Sequence, residues 1–117
     1  MDVEEVREYC LNKYKVTEGF PFDNETLVFK VLGKMFCLLN LSNHASINLK
    51  CKPERAIELR EEFDEIKPGF HMNKKHWNTV DLEGTLLPEM ITKMIDDSYN
   101  LVVDNLPKKE RLRIKQK

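Results

Sequence analysis

The sequence predicts an α+β fold, a two-layer sandwich in which helices cover one face of a five-stranded antiparallel sheet. The 117 residues suit a single domain, and 41% of them are apolar, as is typical of globular chains. Segments that alternate apolar and polar residues are mixed with segments of helical spacing, in the order α-β-β-β-α-β-β-α. The connections are short, which favours antiparallel strands in one compact domain.

The N-terminal segment predicts a helix followed by a loop. Residues 2–15 carry apolar side chains at helical spacing, with charged residues between them. Thr17–Asn24 contains a glycine and a proline and is predicted to be a loop. We expect its aromatic residues, Phe20 and Phe22, to plug the edge of the core.

A β-hairpin and a further strand follow. Thr26–Leu32 and Met35–Leu41 are rich in branched and aromatic residues. Gly33–Lys34 between them fits a two-residue type II′ turn, because glycine readily adopts a positive φ. Residues 46–52 alternate between apolar and polar side chains and predict a strand with one face in water.

Two helices and two short strands are predicted in the second half of the chain. Pro53 and Pro88 each suit the first turn of a helix, where the missing N–H of proline costs nothing. Pro68–Gly69 ends the first of these helices. Phe70–Asn73 and Trp77–Leu82 are predicted to be strands.

The last of these helices leads to the predicted end of the domain. Ser98 lies on its apolar side, where we expect the hydroxyl to bond to the preceding turn. We assign residues 1–107 to a single domain and residues 108–117 to a basic C-terminal tail. Six of those ten residues are basic, a composition that allows disorder.

The charges are segregated along the chain. The 19 basic and 20 acidic residues give a net charge of −1, which excludes a histone-like polycation and an acidic tail protein. Residues 27–52 and 67–79, which contain most of the predicted strands, carry seven basic residues and no acidic residue. The helical segments carry 19 of the 20 acidic residues. The sequence therefore predicts a basic sheet beside acidic helices.

Several classes of function are not indicated. The chain has neither an apolar run long enough for a membrane span nor the pattern of a secretory signal, so we predict a cytoplasmic protein. Cys10, Cys37 and Cys51 are too widely spaced for a zinc or thioredoxin-like motif. The spacing of His71 and His76 predicts no metal site, and phosphate-binding and nucleophile motifs are absent. We therefore expect a non-enzymatic protein without a cofactor or a metal.

Five stretches of the sequence resemble the MmcQ/YjbR family of small bacterial proteins. They are PFD at Pro21–Asp23, VFKVLGKMFCLL at Val28–Leu39, INLKCKPERAIELR at Ile47–Arg60, PGFHMNKKHWNTV at Pro68–Val80 and DDSYNLVVDNLPKK at Asp96–Lys109. The resemblance covers essentially the whole chain, although the family more often has glycine at position 23. It implies a two-layer fold of the secretion-chaperone-like type, also compared with bacterial frataxin. Family members are usually described as uncharacterised or DNA-binding, and a fold does not determine function.

The basic sheet is the candidate binding site. Lysines on an open sheet face could accept phosphates, and a nearby aromatic ring could stack on a base. The candidate residues are Lys30, Lys50, Lys52, Lys74, Lys75, His76 and Trp77. This pattern favours nucleic-acid binding, with DNA as the partner. Two interpretations stay open beside it: lysines that only keep the sheet soluble, with Trp77 in the core, or the same face binding a protein or a second copy of the chain.

Overall fold

The computed structural model describes residues 1–115, which form an α+β fold with an antiparallel sheet, as predicted. The described residues form four helices and six strands, so the predicted number of five strands is wrong. In chain order the elements are α1 (Val3–Leu11), β1 (Val16–Gly19), β2 (Thr26–Val31), β3 (Lys34–Asn40), β4 (Ser46–Lys50), α2 (Pro53–Glu62), β5 (Ile66–Pro68), β6 (Trp77–Asp81), α3 (Pro88–Asp104) and α4 (Lys108–Lys115). The strands lie side by side in the order β1-β2-β3-β4-β6-β5.

Strand β1 lies partly inside the segment predicted to be a loop. It pairs antiparallel to β2, with Val16 opposite Val31, and forms one edge of the sheet. Its two central residues, Thr17 and Glu18, are polar and exposed, and Glu18 forms an ion pair with Arg7 of α1 at 2.7 Å. Four residues with a polar centre show no alternation, so this strand owes its structure to its neighbour rather than to its own sequence.

The strand predicted at Phe70–Asn73 is wrong, because Ile66–Pro68 forms the edge strand β5 instead. Ile66 pairs with Val80 of β6. Directly afterwards the chain leaves the sheet, and His71 has a φ of 60°, a left-handed conformation that no extended strand contains. The segment around Phe70 is therefore a loop that joins the neighbouring strands β5 and β6.

The turn between β2 and β3 lies one residue earlier than predicted. Leu32 and Gly33 have φ values of 47° and 82°, as in a type I′ turn, so the predicted Gly33–Lys34 type II′ turn is wrong. The side chain of Leu32 packs against the main core. This contact offsets the cost of a left-handed backbone, which is about 1–2 kcal/mol for a residue with a Cβ.

A β-bulge in β3 lets two successive residues face the core. Phe29 pairs with Cys37 but Lys30 pairs with Met35, so Phe36 is an extra residue between them. Phe36 and Cys37 are both fully buried in the main core. This core joins alternate residues of the strands to side chains of all four helices, among them Val6, Leu59, Ile95 and Ile114.

Ser98 of α3 bridges the neighbouring strands β3 and β4 at Phe36, the extra residue of the bulge. Its hydroxyl donates to the carbonyl oxygen of Phe36 at 2.6 Å and accepts from the backbone N–H of Lys50 at 2.8 Å. Its side chain is fully buried. The expected bond to the preceding helical turn is therefore wrong: the hydroxyl pairs with two backbone groups of the sheet that lie just beyond the last pair of the β3–β4 ladder, Cys37 and Leu49.

Residues 108–115, in the segment predicted to be a basic tail, form helix α4. Ile114 is only 9% exposed and joins the main core. Charged residues surround this apolar position, so the sequence shows no apolar stripe there. The last two residues of the predicted tail, 116–117, lie outside the described residues.

Candidate nucleic-acid interface

The sheet face turned away from the main core, which we call the outer face, carries a groove. Alternation along the paired strands assigns to this face Thr26, Val28, Lys30, Met35, Leu38, Asn40, Ser46, Asn48, Lys50, Trp77, Thr79 and Asp81. The groove has a volume of about 680 Å³ and lies between loop 20–25 and loop 69–76. That volume falls in the range of known ligand sites.

Each of the two loops presents an exposed aromatic side chain along the groove. Phe22 is 65% exposed and Phe70 is 66% exposed, and both line the groove. The expectation that Phe20 and Phe22 plug the core is wrong. Asp23 accepts the backbone N–H groups of Glu25 and of Thr26, the first residue of β2. This turn holds the loop beside the outer face, whereas the core lies on the other face of the sheet.

Loop 69–76 is fixed to the sheet from both sides. Gly69 donates its N–H to the carbonyl oxygen of Trp77 at 2.8 Å and accepts from Lys74 Nζ at 3.0 Å. From the helical side, Arg60 of α2 donates to Asn78 Oδ1 at 2.6 Å and to the carbonyl oxygen of Lys74. The position of Phe70 over the groove is therefore determined by bonds on either side of it.

The packing of Gly69 gives a first prediction. A Cβ at this position would lie 2.8 Å from Trp77 Cβ and 2.9 Å from the Trp77 carbonyl oxygen. We expect Gly69→Ala to lower the free energy of unfolding by about 1–3 kcal/mol, the usual cost of overpacking. Urea unfolding followed by the fluorescence of the single tryptophan measures this loss. Gly19→Ala is the control, since a Cβ there meets no described atom within 4 Å; similar losses in both variants would contradict the prediction.

The structure brings only some of the predicted basic residues to the outer face. Lys30 and Lys50 lie on β2 and β4 with half-buried side chains. Lys75 is exposed on loop 69–76, and Lys74 on the same loop bonds to the backbone as described. Lys52 is the residue before α2 and lines a separate cleft between α2 and α3. It is therefore remote from the groove, because the chain turns into the helix immediately after β4.

The remaining two predicted residues, His76 and Trp77, make contacts within the fold itself. His76 is half-buried, and its carbonyl oxygen accepts the N–H of Cys51 at 2.7 Å. Trp77 lies on the outer face but is only 9% exposed, because it packs with Val28 and Leu38 in a small apolar cluster. The Trp77 ring is therefore covered and is not a free surface for a base, and Phe22 and Phe70 are the exposed phenylalanines that line the groove.

The two ends of the outer face differ in charge. The register aligns Thr26, Asn40, Ser46 and Asp81 at one end and Lys30, Lys50 and Trp77 towards the other. At the first end His44 Nε2 donates to Asp81 Oδ1 at 2.8 Å, and this bond, with the charges of Asp81 and Glu83, raises the pKa of His44. At the acidic end Asp81 is therefore already paired with His44, and Lys30 and Lys50 lie at the opposite end of the face.

The described residues offer few other reactive groups. They contain no cluster of three or more potential metal ligands, and none of their helices is long and apolar enough to cross a membrane. Cys10 and Cys37 are both fully buried, and the hydrogen bond between them, together with burial, raises the pKa of the Cys37 thiol. A buried thiol with a raised pKa is a poor nucleophile.

The chain has clear relatives. The family model described as YjbR matches residues 11–101. The chain belongs to the YjbR family. It is 40% identical over 97 residues to "Uncharacterized protein YbdF" of Escherichia coli O157:H7, with 82% of this chain and 80% of that protein covered. It is 32% identical over 112 residues to "Uncharacterized protein YjbR" of Escherichia coli strain K12, with 95% of each covered.

A solved structure of the same fold is also similar. The crystal structure of Deinococcus radiodurans protein DR2400, with the family-model domain DUF419, has a TM-score of 0.89 and 41% sequence identity. The similarity covers 97% of this chain and 87% of that one. The family resemblance in the sequence is thus confirmed. The curated YjbR relatives are described as uncharacterised, so the function has to be argued from the site itself.

Proposed function

We propose that this YjbR-family protein is a non-enzymatic nucleic-acid-binding protein that binds single-stranded DNA across the outer face. The observation that carries the proposal is the pair of exposed rings, Phe22 and Phe70, on the two sides of one groove. Aromatic side chains beside a basic surface are the usual elements of single-strand binding, because every base has a face that can stack. The main core, which includes residues of all four helices, lies on the opposite face of the sheet.

The charges suggest where the phosphates lie. Lys30 and Lys50 stand about 13 Å along the strands from the row that contains Thr26 and Ser46, since each strand residue rises about 3.3 Å. Asp23 and Glu25 line the groove near that row and repel phosphates. We therefore propose that the phosphate backbone crosses the end of the outer face that carries Lys30 and Lys50. The bases would then point towards Phe22 and Phe70.

Single strands fit this surface better than a duplex. Residues 1–115 place no helix on the outer face that could enter a major groove, and the two exposed rings that line the groove lie on loops. Stacking on these rings requires bases that are free of their partners. Comparison of a single strand with the duplex of the same sequence at equal salt tests this preference.

The test of the proposal is a salt titration of binding to a fluorescently labelled single-stranded oligonucleotide. Each phosphate neutralised contributes about 0.7 to the slope of log affinity against log salt concentration. We expect Lys30→Gln/Lys50→Gln to weaken binding at low salt and to reduce this slope by about 0.7 per lysine engaged. Fluorescence anisotropy measures both quantities.

Lys93→Gln is the matched control, because it removes one lysine from the helical side. Lys93 is exposed on α3 and pairs with Asp97 of the same helix at 2.7 Å. This variant should bind with the affinity and slope of the wild type. Absence of binding by the wild type at low salt would overturn the proposal, as would equal effects of the control and the outer-face variant.

A protein partner or a second copy of the chain is the second candidate for the same face. The observation that favours it is an apolar surface, because Phe20, Phe22 and Phe70 are exposed beside the small cluster of Val28 and Leu38. Contiguous exposed apolar side chains often mark protein interfaces. Such an interface is not weakened by salt, so sedimentation at low and high salt separates it from the electrostatic binding of DNA.

A further inference from the structure

We propose that Thr79 and Asn48 are positioning residues that hold Phe70 ready for a ligand. This inference rests on the proposed function and deepens it. Neither side chain is basic or aromatic, and both lie on the floor of the groove. Their role would be to fix the backbone from which the exposed ring projects.

Three hydrogen bonds close a ring between the floor and the loop. Phe70 donates its backbone N–H to Thr79 Oγ1 at 2.9 Å. The Thr79 hydroxyl donates to Asn48 Oδ1, and Asn48 Nδ2 donates to the carbonyl oxygen of Phe70 at 3.3 Å. Thr79 and Asn48 are direct partners in the ladder between β6 and β4. Both backbone polar groups of Phe70 are therefore bound by a rigid part of the sheet.

The flanking residues restrict the loop further. Gly69 is packed against Trp77, and His71 is held at a φ of 60°. A left-handed histidine persists only where surrounding contacts enforce it. The rings of Phe70 and His71 lie 4.1 Å apart. The backbone of Phe70 is thus fixed on both sides, while its side chain remains exposed to the groove.

This combination points to a function in binding rather than in folding. An exposed phenylalanine contributes little to the core, so folding alone does not require its backbone to be held by two side chains. Binding of a ligand is favoured by the held backbone, because a ring that is already fixed in one place loses less conformational freedom on binding. Thr79 and Asn48 would reduce this entropic cost by holding the backbone of Phe70.

Thr79→Val tests the inference, since it removes the hydroxyl and keeps the shape and charge of the site. We expect it to weaken single-strand binding about three- to tenfold, the cost of ordering one side chain. Thr79→Ser retains the hydroxyl and should restore wild-type affinity. In a Phe70→Ala background, Thr79→Val should have no further effect on affinity, because the positioned ring is gone.

A readout without ligand separates the inference from the proposed function. The exchange rate of the Phe70 backbone N–H with water, measured by NMR, should rise about fivefold or more in Thr79→Val and stay low in Thr79→Ser. An unchanged rate, or a loss of affinity that persists in the Phe70→Ala background, would overturn the positioning role while binding itself stands. If the wild type binds no oligonucleotide, the proposed function fails and the positioning role for a nucleic acid fails with it.

Discussion

Replacement of Ser98 by alanine is expected to lower the free energy of unfolding by about 2–4 kcal/mol. The variant removes the only side-chain atom that links the N–H of Lys50 to the carbonyl oxygen of Phe36. Both backbone groups lie just beyond the last pair of the β3–β4 ladder, Cys37 and Leu49, where Ser98 bridges the two strands. Each buried group left without a partner costs about 1–3 kcal/mol, so the loss is a large share of a typical stability of about 5–15 kcal/mol.

Thr92→Ala on the same helix is the matched control for Ser98→Ala. The Thr92 hydroxyl donates to the carbonyl oxygen of Glu89 in its own helical turn and is in contact with solvent. Its removal should change stability by less than about 0.5 kcal/mol. Urea unfolding followed by Trp77 fluorescence measures both variants. Equal stability of Ser98→Ala and the wild type would show that the two strands close directly across the bulge.

The elements that the sequence predicts well are those whose signal is local. The alternation in β2, β3 and β4 and the prolines that open α2 and α3 depend on residues within one element. Strand β1 and the bulge at Phe36 depend on a neighbouring strand, so no window of the sequence reveals them. The burial of Ser98 follows from its helical stripe, but its partners lie 48 and 62 residues away.

The site shows the same division between local and tertiary signals. Charge segregation directs attention to the sheet, because it is visible by counting residues along the chain. Alternation assigns Trp77 to a face, but it does not reveal that Val28, Leu38 and the partly buried Met72 pack around its ring. The usable signal for Phe22 and Phe70 is their position directly after Pro21 and Gly69, where turn residues keep an aromatic side chain in a loop.

Removal of both exposed rings is expected to have the largest effect on binding. Stacking of a base on an aromatic side chain contributes about 1–3 kcal/mol, which corresponds to about five- to 150-fold in affinity for each ring. We therefore expect Phe22→Ala and Phe70→Ala each to weaken single-strand binding within this range, and the double variant to lose more than either. Fluorescence anisotropy at one low salt concentration measures the losses. Stability should change little, because both side chains are exposed.

The salt dependence of these variants separates stacking from charge. Neither substitution removes a charge, so the slope of log affinity against log salt should stay that of the wild type although the affinity falls. Ile57→Ala is the control, since Ile57 is an exposed apolar residue on α2. Loss of affinity in Ile57→Ala would indicate a general hydrophobic effect. Unchanged affinity in the Phe22→Ala/Phe70→Ala variant would show that any DNA binding is purely electrostatic, and the outer groove would then be better explained as a protein interface.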